Sequence, residues 1–101
     1  MVKLLKDLLF SPDEEGKLES LEIHKTPHYS YVLGNKQPYI DWQTARGKDP
    51  KVKTKKFDAL IMSVYKKGVK KPIQVVGNTI IHGHHRAAIA LALGERSIRC
   101  S

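Results

Sequence analysis

The fold is decided by one stretch of the chain, Pro72-Ile73-Gln74-Val75-Val76-Gly77-Asn78-Thr79-Ile80-Ile81-His82-Gly83-His84-His85-Arg86. Two apolar runs rich in strand-forming residues, 72–76 and 79–82, lie on either side of the dipeptide Gly77-Asn78. Short apolar runs separated by a two-residue turn of this kind predict a β-hairpin. The chain should therefore fold back on itself at residues 77–78.

A helix is predicted directly after the hairpin. Gly83 breaks the second strand, and residues 84–93 are rich in alanine and leucine, which favour helix. Gly94 then follows, at a position where helices commonly end. Residues 96–100 predict a short terminal strand.

A second helix is predicted upstream, over residues 54–67. Its apolar side chains recur at i, i+3, i+4 and i+7, which places them on one face; they are Phe57, Leu60, Ile61 and Val64. Thr54 is a suitable N-cap, and Gly68 suits the position after the last turn. The helix should pack on the core through this face.

The N-terminal half gives weaker signals. The leucines in residues 2–10 fall on one helical face, so this segment predicts a short helix. Residues 13–16 predict a polar turn, and residues 18–23 are compatible with either strand or helix. Residues 24–42 are expected to be mostly loop, with a strand possible at Tyr31-Val32-Leu33. Residues 43–53 are polar and basic and predict an exposed loop.

Aromatic side chains are concentrated in this half, at Tyr29, Tyr31, Tyr39 and Trp42. Aromatic rings beside positive charge can stack on nucleic-acid bases. In a small protein they more often cover the core, and we favour that interpretation. His24 and His28 are expected to be loop residues.

The length of 101 residues favours one domain. The order of elements predicts an α+β fold with a small mixed sheet and helices. Residues 52–100 would form its core, and residues 1–50 would form a divergent N-terminal part. The chain has one cysteine, Cys100, so no internal disulfide is possible. We expect no signal peptide and no membrane span, and a cytoplasmic location. The oligomeric state is left open.

The charge is strongly positive. Eighteen Lys and Arg against ten Asp and Glu give a formal net charge of +8. Such an excess on a small domain favours nucleic acids or nucleotides as partners, although a solvated lysine face is the simpler alternative. The lysines are clustered, and the candidate nucleic-acid contacts are Lys53, Lys55, Lys56, Lys70 and Lys71.

The predicted junction of strand and helix at Gly83 is a candidate anion site. Backbone N–H groups and the positive end of the helix dipole meet at such a junction, and glycine permits close approach of a ligand. Arg86 can bind a phosphate through two parallel hydrogen bonds, and His84 and His85 add donors that strengthen when protonated. His82, His84 and His85 could instead bind a metal, but a turn spreads neighbouring side chains, and we predict no metal site.

Together these residues resemble the ParB/sulfiredoxin superfamily. The matching segments are Lys71-Pro72-Ile73-Gln74-Val75, Ile80-Ile81-His82-Gly83-His84-His85-Arg86-Ala87-Ala88-Ile89-Ala90 and Leu93-Gly94. The resemblance covers residues 52–100, whereas residues 1–50 resemble no family. It implies that Gly83, His84, His85 and Arg86 form a phosphate-binding loop.

Departures from the family pattern limit which activity the resemblance implies. His84 stands where sulfiredoxins have their nucleophilic cysteine, so sulfiredoxin activity is not expected. His82 stands where the family's free serine kinases have an aspartate, and Asp41 is a candidate for their upstream acid. Partition proteins of the family bind CTP and read DNA with a separate domain, which these 101 residues do not include. Some members are described as nucleases.

Three functions follow as alternatives. The first is a binding module for nucleotide or nucleic-acid phosphate, in a DNA-related role. The second is a phosphotransferase, nucleotidase or nuclease, with Asp41 and His84 as catalytic residues and a nucleoside triphosphate with Mg²⁺ as cofactor. The third is a phage or plasmid protein-interaction factor without catalysis. Between Ala59 and Ser101 the only carboxylate side chain is that of Glu95, which weighs against the enzyme because Mg²⁺ needs oxygen ligands.

Overall fold

The computed structural model describes residues 1–10 and 20–101, and within them the fold is α+β, as predicted. It contains two small sheets and several helices. The predicted turn at residues 13–16 lies outside the described residues, as do residues 18 and 19 of the undecided segment.

The predicted hairpin is confirmed. Strand β4 (Gln74–Val76) pairs antiparallel with β5 (Thr79–His82), and Gly77-Asn78 forms the turn. Helix α4 (His84–Ala92) and strand β6 (Ser97–Arg99) follow, also as predicted. These elements form where the local signals were strongest.

Residues 2–10 do not form the predicted helix. They form strand β1 (Val2–Leu4), a 3₁₀ turn (Leu5–Asp7) and strand β2 (Leu9–Phe10). Leu5 and Leu8 are fully buried in this arrangement, so the leucine pattern is satisfied without a helix. The backbone hydrogen bonds come from strands far away in the sequence, which no local pattern shows.

Two sheets result from this pairing. The larger has the order β3-β2-β5-β4, where β3 is Leu21–Glu22. Strand β2 lies parallel to β5 and antiparallel to β3, so this sheet is mixed, as predicted. In the smaller sheet, β1 lies antiparallel to β6. The N-terminal strands thus pair with the second strand of the hairpin and with the last strand of the chain.

Residues 24–42 are not mostly loop. A 3₁₀ turn (Ile23–Lys25) leads into helix α1 (Pro27–Val32), and helix α2 (Gln37–Ala45) follows. Thr26 caps α1 by accepting a hydrogen bond from the Tyr29 backbone N–H at 3.2 Å. A threonine cap with proline at the first helical position is a helix-start signal that sequence analysis could have used. The strand considered at residues 31–33 is absent, because this segment ends α1.

Helix α3 (Pro50–Lys67) begins four residues earlier than predicted. Asp49, not Thr54, is its N-cap: Asp49 Oδ1 accepts a hydrogen bond from the Lys51 backbone N–H at 2.9 Å. Residues 43–53 therefore belong largely to helices α2 and α3, and the predicted exposed loop is reduced to a short connection. The predicted apolar face is confirmed, with Phe57 and Val64 buried.

Buried side chains form two clusters on either side of α4. One contains Leu5, Leu8, Phe10, Ile23, Ile73, Ile80, Ala87, Ala88, Ala90, Ile98 and Cys100. The other contains Tyr31, Tyr39, Phe57, Val64 and Ile89. Tyr31 and Tyr39 are thus core residues, in agreement with the favoured interpretation of the aromatic stretch. Among residues 1–10 and 20–101, no helix is long and apolar enough to cross a membrane.

Candidate anion-binding site

Gly83 joins β5 to α4 in a left-handed conformation, with φ 100° and ψ 23°. Its carbonyl accepts the first hydrogen bond of the helix, from the Ala87 backbone N–H at 3.0 Å. Side chains cap α1 at Thr26 and α3 at Asp49, but glycine has no side chain that could accept from the first turn. The start of α4 therefore offers positive dipole potential to an outside acceptor.

A cavity of about 320 Å³ opens at this turn. It is lined by Tyr39, Lys53, Lys56, Phe57, Leu60, His82, Gly83, His84, His85 and Arg86. All four residues of the predicted phosphate loop are present, together with two of the five predicted lysines. Because Lys53, Lys56 and Leu60 are three and four residues apart on α3, one helical face presents them to the turn.

The remaining predicted lysines lie elsewhere. Lys70 and Lys71 line a neighbouring cavity of about 320 Å³, which shares Leu60 and Arg86 with the first. Lys55 is exposed on α3 and is not among the residues that line either cavity. Positive charge thus extends from the turn along one side of α3.

Arg86 has a structural partner that the sequence did not indicate. Its Nη1 atom donates to the carbonyl oxygens of Lys71 at 2.9 Å and Pro72 at 3.3 Å. These carbonyls compensate a cation in the first helical turn, where the helix dipole opposes it. The arginine therefore ties the segment before β4 to α4, whether or not it also touches a ligand.

His85 is neutral at ordinary pH. Its Nε2 atom lies 2.9 Å from the hydroxyl of Tyr39. Burial, followed by the nearby positive or protonatable groups of His84, Lys53 and Arg46, lowers the pKa of His85 to about 4.

His84 is also held below its ordinary pKa, chiefly by burial. A hydrogen bond to the Ile80 backbone opposes this shift, and the His82 charge adds to it. The His84 ring packs edge-on against Phe10, with centroids 4.8 Å apart. Near neutral pH the stronger donors that protonation would give these two histidines are therefore largely absent.

His28 was expected in a loop, but it lies in α1 and is 2% exposed. Its ring centroid is 4.6 Å from that of His85 and 4.8 Å from that of Trp42. Within the described parts of the chain, its Nδ1 atom has no hydrogen-bond partner. Burial, followed by the charges of His85, His84 and Arg46, lowers its pKa well below the ordinary value. No local signal in the sequence indicates this burial. His24, by contrast, is exposed in the 3₁₀ turn.

Asp41 lies on the exposed side of α2, where its Oδ1 atom accepts a hydrogen bond from Gln37 Nε2 at 2.8 Å. It is not among the described residues that line the cavity, and its catalytic role stays a prediction. The lining side chains with charge or donor groups are lysine, arginine, histidine and tyrosine, a set that suits phosphate oxygens better than Mg²⁺. In residues 1–10 and 20–101, no group of three or more His, Cys, Asp or Glu could hold a metal ion.

No protein-family model matches the chain, and comparisons with curated proteins and with solved structures find no match either. The resemblance of residues 52–100 to the ParB/sulfiredoxin superfamily therefore stays a prediction from their sequence.

Proposed function

We propose that this protein is a small ParB-like domain that binds phosphate groups of a nucleotide or nucleic acid at the Gly83–Arg86 turn, in a DNA-related role. One observation supports this above the others: a single cavity joins the start of α4 with Lys53 and Lys56 of α3. An anion at that point would meet both the positive end of a helix and two lysine side chains.

The lysine charges are available to such an anion. The ion pairs found among the described residues both involve Glu22, which pairs with His24 and Lys25. No described carboxylate therefore neutralises Lys53 or Lys56. With a formal net charge of +8, the protein as a whole also attracts polyanions.

Under this proposal, some groups of the site bind the phosphate and others hold the shape of the turn. The first-turn backbone N–H groups and the two lysines would bind the phosphate oxygens. The side chains of the turn would mainly hold its shape, since Arg86 is tied to carbonyls and the ring of His85 to Tyr39. This distribution favours a binding module over an enzyme.

The test is a titration of ATP, CTP, GTP and a short DNA duplex, with and without Mg²⁺, at two salt concentrations. The informative variant is Lys53→Gln combined with Lys56→Gln. Its matched control is Lys55→Gln combined with Lys66→Gln, which removes the same charge from the same helix at exposed positions. We expect the first pair to weaken binding at least about tenfold, which corresponds to about 1.4 kcal/mol, and the control pair to weaken it less.

Salt dependence then separates the ligand classes. Binding to duplex DNA should fall steeply with salt, because neutralised phosphates release counterions, whereas a nucleotide with fewer contacts should show a shallower slope. Equal binding of every ligand by wild type and by the Lys53→Gln, Lys56→Gln variant would overturn the proposed site. Arg86→Ala is a poorer test because it also removes a structural tether.

A further inference from the structure

A chain of hydrogen bonds runs from the end of α2 to the first turn of α4. Arg46 Nη1 donates to Gln43 Oε1 at 3.2 Å, and Gln43 Nε2 donates to the Tyr39 hydroxyl at 2.9 Å. That hydroxyl lies 2.9 Å from Nε2 of His85. Tyr39 and Gln43 are each 1% exposed, so water does not replace these contacts readily.

The direction of each hydrogen bond follows from its partners. A guanidinium group can only donate, so the amide oxygen of Gln43 faces Arg46 and its NH₂ group faces Tyr39. The Tyr39 oxygen thus accepts from Gln43, and its own single proton needs an acceptor. His85 Nε2 is that acceptor, because a protonated Nε2 would leave the buried phenol proton unpaired within this chain of groups.

We propose that Tyr39, Gln43 and Arg46 are positioning residues that hold His85 as a neutral ring with its proton on Nδ1. They would act through hydrogen-bond polarity, not through contact with a ligand. His85 would then line the candidate cavity as a neutral ring and not as a cation.

The groups around the ring favour the same state. His85 is faced by His28 of α1, Arg46 at the end of α2, Lys53 of α3 and His84 of its own helix. Arg46 and Lys53 are positive and oppose a second proton on His85, and His28 and His84 add to this repulsion when they are protonated. Burial raises the pKa of Tyr39, so the phenol retains the proton that it donates.

The consequence for binding rests on the proposed function. If the cavity binds phosphate, its fixed side-chain charge comes from Lys53, Lys56 and Arg86, and His85 adds none. The tautomer itself can be measured in the ligand-free protein, so the two proposals can fail separately.

The experiment is a long-range ¹H–¹⁵N correlation spectrum of the histidine rings in ¹⁵N-labelled protein, recorded from neutral to mildly acidic pH. Wild type should show a protonated, pyrrole-type Nδ1 and an unprotonated, pyridine-type Nε2 for His85 across this range. In Tyr39→Phe this preference should be lost, because the phenol that defines it is gone.

Gln43→Glu reverses the polarity of the chain. A carboxylate can only accept, so the Tyr39 proton should turn toward it, and His85 Nε2 should become protonated. Gln37→Glu is the matched control, since it makes the same chemical change on the exposed side of α2 and should leave the His85 spectrum unchanged.

A protonated Nε2 in wild type, or a His85 spectrum that Gln43→Glu does not change, would overturn this inference. Sulfate titrated into the same samples tests the anion site independently. If the tautomer is as expected but sulfate shifts no first-turn amide of α4, the proposed function fails and the positioning chain stands.

Discussion

Gly83 and Ile73 are in such close contact that a Cβ atom added to the glycine would lie 2.5 Å from Cγ2 of Ile73. Ile73 is fully buried in the cluster between the sheet and α4. The left-handed turn before α4 is therefore held directly against the core. The position of the candidate anion site depends on this contact as well as on the helix itself.

Gly83→Ala should destabilise the protein by about 2–5 kcal/mol, as the sum of left-handed backbone strain and overpacking against Ile73. Gly77→Ala is the matched control: it also has positive φ, but no atom of the described residues lies within 4 Å of its added Cβ. Its loss should be about 1–2 kcal/mol, from strain alone. Urea denaturation measures both, and equal losses would show that the Ile73 contact is unimportant.

Arg86→Met should lower the free energy of unfolding by about 1–2 kcal/mol, because it removes hydrogen bonds from a charged donor to the carbonyls of Lys71 and Pro72. Arg99→Met provides the comparison, since Arg99 is exposed and donates to one carbonyl of the same segment, that of Lys70, at 2.9 Å. We expect its loss to stay within about 0.5 kcal/mol. Thermal unfolding at neutral pH distinguishes the two. A stability of Arg86→Met equal to that of wild type would contradict the tether.

Asp49→Ala should cost about 1 kcal/mol, because Asp49 caps α3 through the Lys51 backbone N–H. Asp41→Ala removes the same charge from an exposed position inside α2, and its effect on stability should be within about 0.5 kcal/mol. Chemical denaturation measures both changes. If Asp49→Ala is as stable as wild type, α3 does not start at Pro50 in solution.

Stability should fall as the pH drops from about 6.5 toward 4, because burial lowers the pKa of His28 and His85 in the folded protein. Above this range both rings are neutral in the folded and unfolded chains, so they add no pH dependence. Within this range the unfolded chain takes up protons that the folded chain refuses, and each such ring costs up to about 1.4 kcal/mol per pH unit until the folded ring also protonates. Urea midpoints across this range measure the loss.

His28→Leu should reduce this acid sensitivity, since it removes a buried ring whose Nδ1 atom has no hydrogen-bond partner among the described residues. An unchanged slope in His28→Leu would mean that this ring does not titrate on unfolding.

Local chemistry in the sequence was sufficient for the C-terminal half. The signals are each contained in a few neighbouring residues. They are Gly77-Asn78 between two apolar runs, the apolar face from Phe57 to Val64, and the glycine before His84. Each indicates its element locally, although the packed core is what stabilises that element. The hairpin, the two helices and the glycine turn could therefore be predicted, and with them the centre of the candidate site.

Tertiary structure decided the rest, because the partners are far apart in the sequence. Val2–Leu4 becomes a strand since β6, some 95 residues later, supplies its hydrogen bonds, and the leucine pattern alone could not show this. Lys53 and Lys56 become site residues only because α3 packs beside the turn. The neutral state of His85 likewise depends on tertiary structure: burial under α1 and α2 lowers its pKa, and the sequence of the turn does not indicate that burial.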